Sequence, residues 1–202
     1  MLELPLSHNL PVDHLTACFN DVTNSYKFYW FLAILEQVKA GKSSLIPLNE
    51  LFAEMLASVW YPSNYFNLSF GKQDRLSRIV RSIADESKLG IDAKKSVVIT
   101  TVLEHLSAKT ILSQEILSLR QFVPFRFLRP FFSCELRGKP DKEINKLIVD
   151  AAANAFTNQI RPGLYRFVYT TEPYIEIQSD RFIYIQQHQH ILRGFWICHI
   201  LN

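Results

Sequence analysis

The chain is poor in the residues that cross-link small folds and that build nucleotide-binding loops. Its three cysteines, Cys18, Cys134 and Cys198, lie far apart and form no CxxC pair. Neither a disulfide framework nor a zinc knuckle is therefore predicted, and a reducing cytoplasm is the expected compartment. The six glycines form neither a GxGxxG motif nor a Walker loop, which argues against a glycine-rich phosphate site.

Long apolar runs and a strong net charge are also missing. The most apolar stretch, residues 28–35, is far shorter than the roughly 20 residues that span a bilayer, and the N-terminus does not resemble a secretory signal. We therefore expect neither a membrane span nor secretion. The formal net charge is only +3, so overall charge alone does not indicate a nucleic-acid-binding protein.

The usual signatures of an enzyme are absent as well. The chain has no GxSxG elbow, and no cysteine lies in an obvious cysteine–histidine setting. Carboxylate pairs such as Asp85 with Glu86 occur where solvated surface is the default. We predict no complete catalytic site, no metal site and no cofactor in this chain, so its function must come from binding.

Helices dominate what is present. With 48% hydrophobic residues the chain can bury a sizeable core. Between residues 23 and 40 apolar side chains surround the helix on all sides, and Gly41 follows as a stop, so this helix is predicted to be central and buried. Apolar spacing predicts further helices at about 47–59, 72–87, 93–107, 110–120 and 144–158.

The remaining segments predict a smaller non-helical part and a last helix. Residues 164–169 and 174–177 have the composition of two strands in a hairpin, and a final helix begins near Asp180. The fold class is therefore mainly α, a compact helical domain around a buried central helix with a short C-terminal β-hairpin and a final helix. We expect residues 1–160 to form the helical domain and residues 161–202 a subdomain packed on it. Proline, asparagine and aromatic residues predict an extended arm at 1–14, an ordered loop at 61–71 and an extended segment at 123–132.

Positive charge is concentrated in the middle of the chain. Residues 1–71 contain three basic and six acidic side chains, residues 72–95 contain seven and four, and residues 119–146 contain seven and three. The first of these basic segments follows an aromatic loop, a combination that offers stacking surfaces beside phosphate-binding charge. In the alternative interpretation, Trp60, Tyr65, Phe66 and Phe70 fill the core while Lys72, Arg75 and Arg78 form a solvated face.

The last helix is apolar around most of its circumference. Phe195 and Trp196 lie on its apolar half, and the final turns add Ile197, Cys198, Ile200 and Leu201 without a capping signal. We interpret this as a surface at which the architecture continues or another chain docks, with exposed Phe195 and Trp196 as the interface.

Two kinds of polar residue in apolar surroundings have competing interpretations. On one continuous helix His188 and His190 point about 200° apart, and His199 lies three turns beyond His188, so these histidines cannot share a metal ion. Hydrogen-bonded histidines in the core or an interface are the simpler interpretation. Lys27 lies on the face of the central helix that carries Phe31, which indicates a structural ion pair or a snorkelling side chain before a ligand contact.

The segments NSYKFYWFLAILEQV (24–38) and SVWYPSNYFNLSFGKQDRL (58–76) resemble the N-terminal region of a bacterial HNH endonuclease family. VPFRFLRPFF, the LYRF strand, YIEI and the final helix are also similar, so the resemblance covers about residues 15–200. In that family a metal-dependent nuclease module lies C-terminal to this region, and the chain ends before such a module. The resemblance implies a divalent metal only for the missing module, and it transfers no catalytic role to the histidines here.

Two hypotheses follow. The first is a non-catalytic DNA-recognition or positioning domain, either a fragment of such a nuclease or a shortened relative, in which Lys72, Arg75, Arg78 and Arg126 contact phosphates. The alternative is a protein-interaction or oligomerisation module whose C-terminal helix docks on the missing nuclease domain or on another subunit.

Overall fold

The computed structural model describes residues 4–5, 12–20, 25–41, 43–66, 75–158 and 163–200. It confirms the mainly α fold, with helices that surround one central helix and a small antiparallel sheet at one side. The helices are α1 Val12–Ala17, α2 Tyr26–Lys39, α3 Leu48–Asn64, α4 Leu76–Ser87, α5 Lys95–Ala108, α6 Ile111–Arg120, α7 Val123–Leu128, a 3-10 helix Arg129–Phe132, α8 Ser133–Leu136, α9 Asp141–Asn158, α10 Ser179–Gln187 and α11 Gln189–Ile200. None of these described helices is both long and apolar enough to span a membrane.

Helix α2 lies at the centre of the molecule, as its apolar circumference predicts. The side chains of Trp30, Phe31 and Ile34 are completely buried, and α3, α7, α10 and α11 pack around this helix. A helix that is hydrophobic on every side is stable only when neighbours cover all of it. The C-terminal helices supply part of that cover.

A three-stranded antiparallel sheet pairs a short early strand with the C-terminal hairpin. Its strands are β1 Leu45–Pro47, β2 Tyr165–Tyr169 and β3 Pro173–Ile177, in the order β1-β3-β2. The predicted hairpin is confirmed, with Phe167 opposite Ile175. Strand β1 was not predicted, because three residues that pair with a strand about 130 positions away leave little local signal.

The prediction of an extended segment at 123–132 is wrong, because this stretch is helical. Pro124 lies in the first turn of α7 and Pro130 in the first turn of the 3-10 helix, where proline removes no helical hydrogen bond. Phe127 and Phe131 are buried four residues apart, which is the spacing of one helical face. The prolines mark helix starts here.

Three other boundaries differ from prediction. Helix α3 continues through Pro62 to Asn64, so the predicted loop begins later, and residues 67–71 lie outside the described part. Within the predicted N-terminal arm, residues 12–14 are helical, while 1–3 and 6–11 are not described.

The last helix is interrupted at His188, which separates α10 from α11. Leu192 N–H donates to the His188 carbonyl oxygen at 2.9 Å, so the next helix starts immediately.

A buried hydrogen-bonded pair connects the central helix to the hairpin. Trp30 Nε1 donates to Tyr165 Oη at 3.0 Å, and Tyr165 Oη donates to the carbonyl oxygen of Pro124 at 2.6 Å. The side chains of Trp30 and Tyr165 are both completely buried, so water cannot replace these hydrogen bonds. This pair ties α2, α7 and β2 together.

Alkaline pH tests this buried phenol. Burial raises the pKa of Tyr165 well above its ordinary value, against the opposing hydrogen bond from Trp30, and burial raises the pKa of Tyr184 to about 12. Below about pH 10 both phenols are protonated in the folded and the unfolded chain. Above that pH for Tyr165, and between about pH 10 and 12 for Tyr184, only the unfolded chain releases the proton. The free energy of unfolding should therefore fall by up to about 1.4 kcal/mol per pH unit for each group.

Urea denaturation over a pH series measures this fall, and Tyr165→Phe should make the slope above pH 10 shallower. Replacing the exposed Tyr65 with phenylalanine is the matched control. An equal slope in wild type and Tyr165→Phe would show that the phenol ionises as easily in the folded chain as in the unfolded one.

Candidate nucleic-acid interface

Helix α4 separates apolar and basic side chains between two faces. Leu76, Ile79 and Ile83 are completely buried, whereas Arg75 and Arg78 are exposed. The buried positions recur at three- and four-residue steps, which places them on one side of the helix, and the arginines at three-residue steps are left on the other. The predicted basic face of this helix therefore has arginines in solvent, followed by Arg81 one turn later.

Arg75 stands immediately before the first turn of α4. Its backbone N–H donates to Tyr26 Oη at 2.6 Å, which fixes the start of α4 against the start of α2. The first turn of α4 contains no acidic residue, and the positive end of a helix dipole favours negative charge. A negatively charged group beside Arg75 is therefore favoured by both the side chain and the helix end.

Arg78 belongs to an ion pair that is open to solvent. Its Nη2 lies 3.5 Å from Glu115 Oε2 on α6, and the two side chains are 62% and 39% exposed. Exposed pairs of this kind contribute about 0–1 kcal/mol. Because the pair is weak, replacing Glu115 with a phosphate as the partner of Arg78 would cost little free energy.

Three exposed rings lie at the end of α3, the helix before α4. Tyr61 and Tyr65 stack with ring centroids 4.8 Å apart and an interplanar angle of 9°, and Phe66 meets both rings edge-on. Tyr65 is 51% exposed and Phe66 59% exposed, so the interpretation that places these two rings in the core is wrong. Trp60 is buried, as that interpretation expected. We call Tyr61, Tyr65 and Phe66 the aromatic cluster.

The aromatic cluster lies at the end of α3, and Arg75 precedes the start of α4, the next helix along the chain. Helices α3 and α4 pack against each other. The spacing of Tyr61 and Tyr65 would have predicted one exposed helical face, had Pro62 not indicated a loop.

Of the other two predicted phosphate ligands, the structure describes one. Arg126 is exposed on α7, with its guanidinium carbon 5.1 Å from the centroid of the Phe122 ring. It therefore belongs to a different helix from the arginines of α4. Lys72 and Phe70 lie outside the residues that the structure describes.

The predicted interface of the C-terminal helix is covered by the chain itself. Phe195 is only 2% exposed and its ring packs edge-on against Phe19 at 5.6 Å. Trp196 is partly buried and its Nε1 donates to the carbonyl oxygen of Phe28 at 2.8 Å. The expected exposure of these two rings is therefore wrong, because α11 uses them to cover the apolar surface of α2.

The remaining polar candidates lie in separate places. His188 packs its ring against Tyr184 at 4.7 Å, His190 is exposed on the next helix, and nothing is described of the His199 side chain. The described residues include no group of three side chains placed to hold a metal ion. Lys27 is partly buried, and its charge opposes the effect of burial, which raises the pKa of the Cys18 thiol.

In comparisons with known proteins, no family model, no curated protein and no solved structure matches the chain.

Proposed function

We propose that this chain is a non-catalytic DNA-recognition or positioning domain of an HNH-type endonuclease. The observation that carries the proposal is the exposed basic face of α4, which Arg75 and Arg78 form. The resemblance of residues 15–200 to the region before an HNH module supports the same function. Catalysis and its divalent metal would belong to a nuclease module with which this domain works, and the cytoplasm is the compartment in which such a protein would act.

Arginines and exposed rings together suit a nucleic acid better than either does alone. Arginine binds phosphate oxygens with two parallel hydrogen bonds, while aromatic rings stack on bases that are not paired. The start of α4 adds its helix dipole to the charge of Arg75. Duplex DNA would contact the arginines, and a strand end or an unpaired base would in addition reach the aromatic cluster.

The alternative function is a protein-interaction module. Its two predicted interface residues pack within the chain itself. Phe195 is buried, and Trp196 is engaged with Phe28. Ile191 and Ile197 remain 40% and 47% exposed on α11, but scattered exposed aliphatic residues are usual in soluble proteins. The DNA-recognition proposal is therefore preferred.

A fluorescence-anisotropy titration with labelled duplex and single-stranded DNA tests this function. At low salt we expect weak association with both, stronger for the single strand because its bases can stack on the aromatic cluster. Binding should weaken as salt is added and should depend little on sequence, since phosphates carry no sequence information. If neither DNA associates at low salt, the proposal fails.

A further inference from the structure

A cavity lies where α6 ends against α7, α9 and the β-hairpin, and it is lined by different residues from the basic face of α4. Its volume is about 420 Å³, within the range of about 300–1,000 Å³ that small-molecule sites occupy. The lining residues on which the argument depends are Arg120, Gln121, Phe125, Asn145, Phe167 and Tyr169.

Three nearly parallel rings form the aromatic side of this cavity. Phe125 stacks on Phe167 with centroids 4.6 Å apart and an interplanar angle of 18°, and Phe167 stacks on Tyr169 at 6.3 Å and 12°. Tyr169 is 61% exposed, so this end of the stack is open to solvent. A planar ligand could extend the stack there, as bases do on aromatic side chains.

A cation without an acidic partner faces the same space. Arg120 is partly buried, and among the described residues no ion pair or side-chain hydrogen bond involves it. Burial raises the pKa of the Tyr169 phenol, and the charge of Arg120 opposes that change, so the two groups are close. A partly desolvated guanidinium favours an anionic ligand, and its fork geometry suits phosphate.

Two amides complete the polar side. Asn145 Nδ2 donates to the carbonyl oxygen of Gln121 at 2.8 Å, which holds the Asn145 amide at the cavity wall. Asparagine and glutamine side chains offer a donor and an acceptor in one plane, as base edges require. A ring stack, a lone guanidinium and amides are a combination that matches one ligand class.

We propose that this cavity binds a nucleotide, with the base stacked on the Phe125, Phe167 and Tyr169 rings and the phosphate paired with Arg120. The ligand is either a free nucleoside monophosphate or the terminal nucleotide of a single strand, since both present a base and an anionic phosphate. This site is additional to the DNA-contacting face of α4 and does not depend on it.

Isothermal titration calorimetry with AMP, GMP, CMP and TMP tests the site. Arg120→Gln should weaken binding at least about tenfold, because charged hydrogen bonds contribute about 1.5–3 kcal/mol. Tyr169→Leu, which alters an exposed side chain, should weaken it about fivefold or more through lost stacking. Adenosine, which has no phosphate, should bind Arg120→Gln and wild type equally.

The matched control is Arg75→Glu/Arg78→Glu, which should bind the mononucleotides like wild type and so separates this site from the proposed DNA surface. Competition by a 5′-phosphorylated single strand would identify a strand terminus as the source, and its absence would identify a free nucleotide. Circular dichroism verifies that each variant is folded. Failure of all four mononucleotides to bind at millimolar concentration, or unchanged binding in folded Arg120→Gln, would overturn the proposal.

Discussion

Replacing Trp30 with alanine is expected to lower the free energy of unfolding by about 3–5 kcal/mol. Trp30 is completely buried in α2, its ring lies 5.3 Å from that of Phe52, and its Nε1 donates to Tyr165 Oη. The substitution removes a large apolar group, leaves a cavity and takes away the donor to a buried hydroxyl. Because whole domains are stable by only about 5–15 kcal/mol, urea denaturation should show the loss directly.

Two further variants separate packing from hydrogen bonding at this position. Trp30→Phe retains an aromatic ring but leaves Tyr165 Oη without its donor, so its loss should be smaller, about 1–3 kcal/mol. Phe66→Ala changes an exposed ring and should alter stability by less than about 0.5 kcal/mol. If Trp30→Ala were as stable as Phe66→Ala, α2 would not be the centre of the core.

Charge reversal of both Arg75 and Arg78 should weaken DNA binding at least about a hundredfold at low salt. Each arginine in contact with a phosphate makes a charged hydrogen bond worth about 1.5–3 kcal/mol, and each glutamate would add repulsion. The loss should be similar for all DNA sequences, because backbone contacts do not read bases. Anisotropy titrations of the Arg75→Glu/Arg78→Glu variant with several unrelated oligonucleotides measure it.

The matched control is Lys39→Glu at the last residue of α2. Lys39 is exposed, and α2 begins at Tyr26, which binds the Arg75 backbone, so Lys39 lies at the far end of a helix about 20 Å long. This variant should bind DNA almost like wild type. The double variant reverses two charges and Lys39→Glu reverses one, so a loss of binding free energy in Lys39→Glu about half that of the double variant would mean that binding follows net charge and has no defined surface.

Periodic apolar patterns predicted the fold where the structure depends on local spacing, as in a helix or in a hairpin of two adjacent strands. The buried α2, the amphipathic α9 and the C-terminal hairpin follow directly from apolar spacing. Proline misled in one direction, because Pro62, Pro124 and Pro130 indicated non-helical segments, whereas Pro62 lies inside α3 and the other two lie in the first turns of helices. Strand β1 needs its distant partner β3 and could not be predicted locally.

The candidate site was predictable in its charge but not in its geometry. Arginines at three-residue steps indicated the exposed face of α4 correctly, whereas only the packed structure decides which neighbouring aromatic rings are buried. The C-terminal helix shows the reverse error, because Phe195 and Trp196 fit an interface by composition but cover α2 within the same chain. An apolar helix end does not reveal from its sequence which surface covers it.

The salt dependence of DNA binding tests whether the exposed arginines of α4 contact phosphates. Contacts from Arg75 and Arg78 predict a slope of log K against log salt concentration of about −2, with about −0.9 for each phosphate contact on a duplex. In Arg75→Glu/Arg78→Glu the slope should be smaller in magnitude by about two, and in Lys39→Glu it should be unchanged. Absence of binding at low salt, or the same slope in all three proteins, would contradict the account.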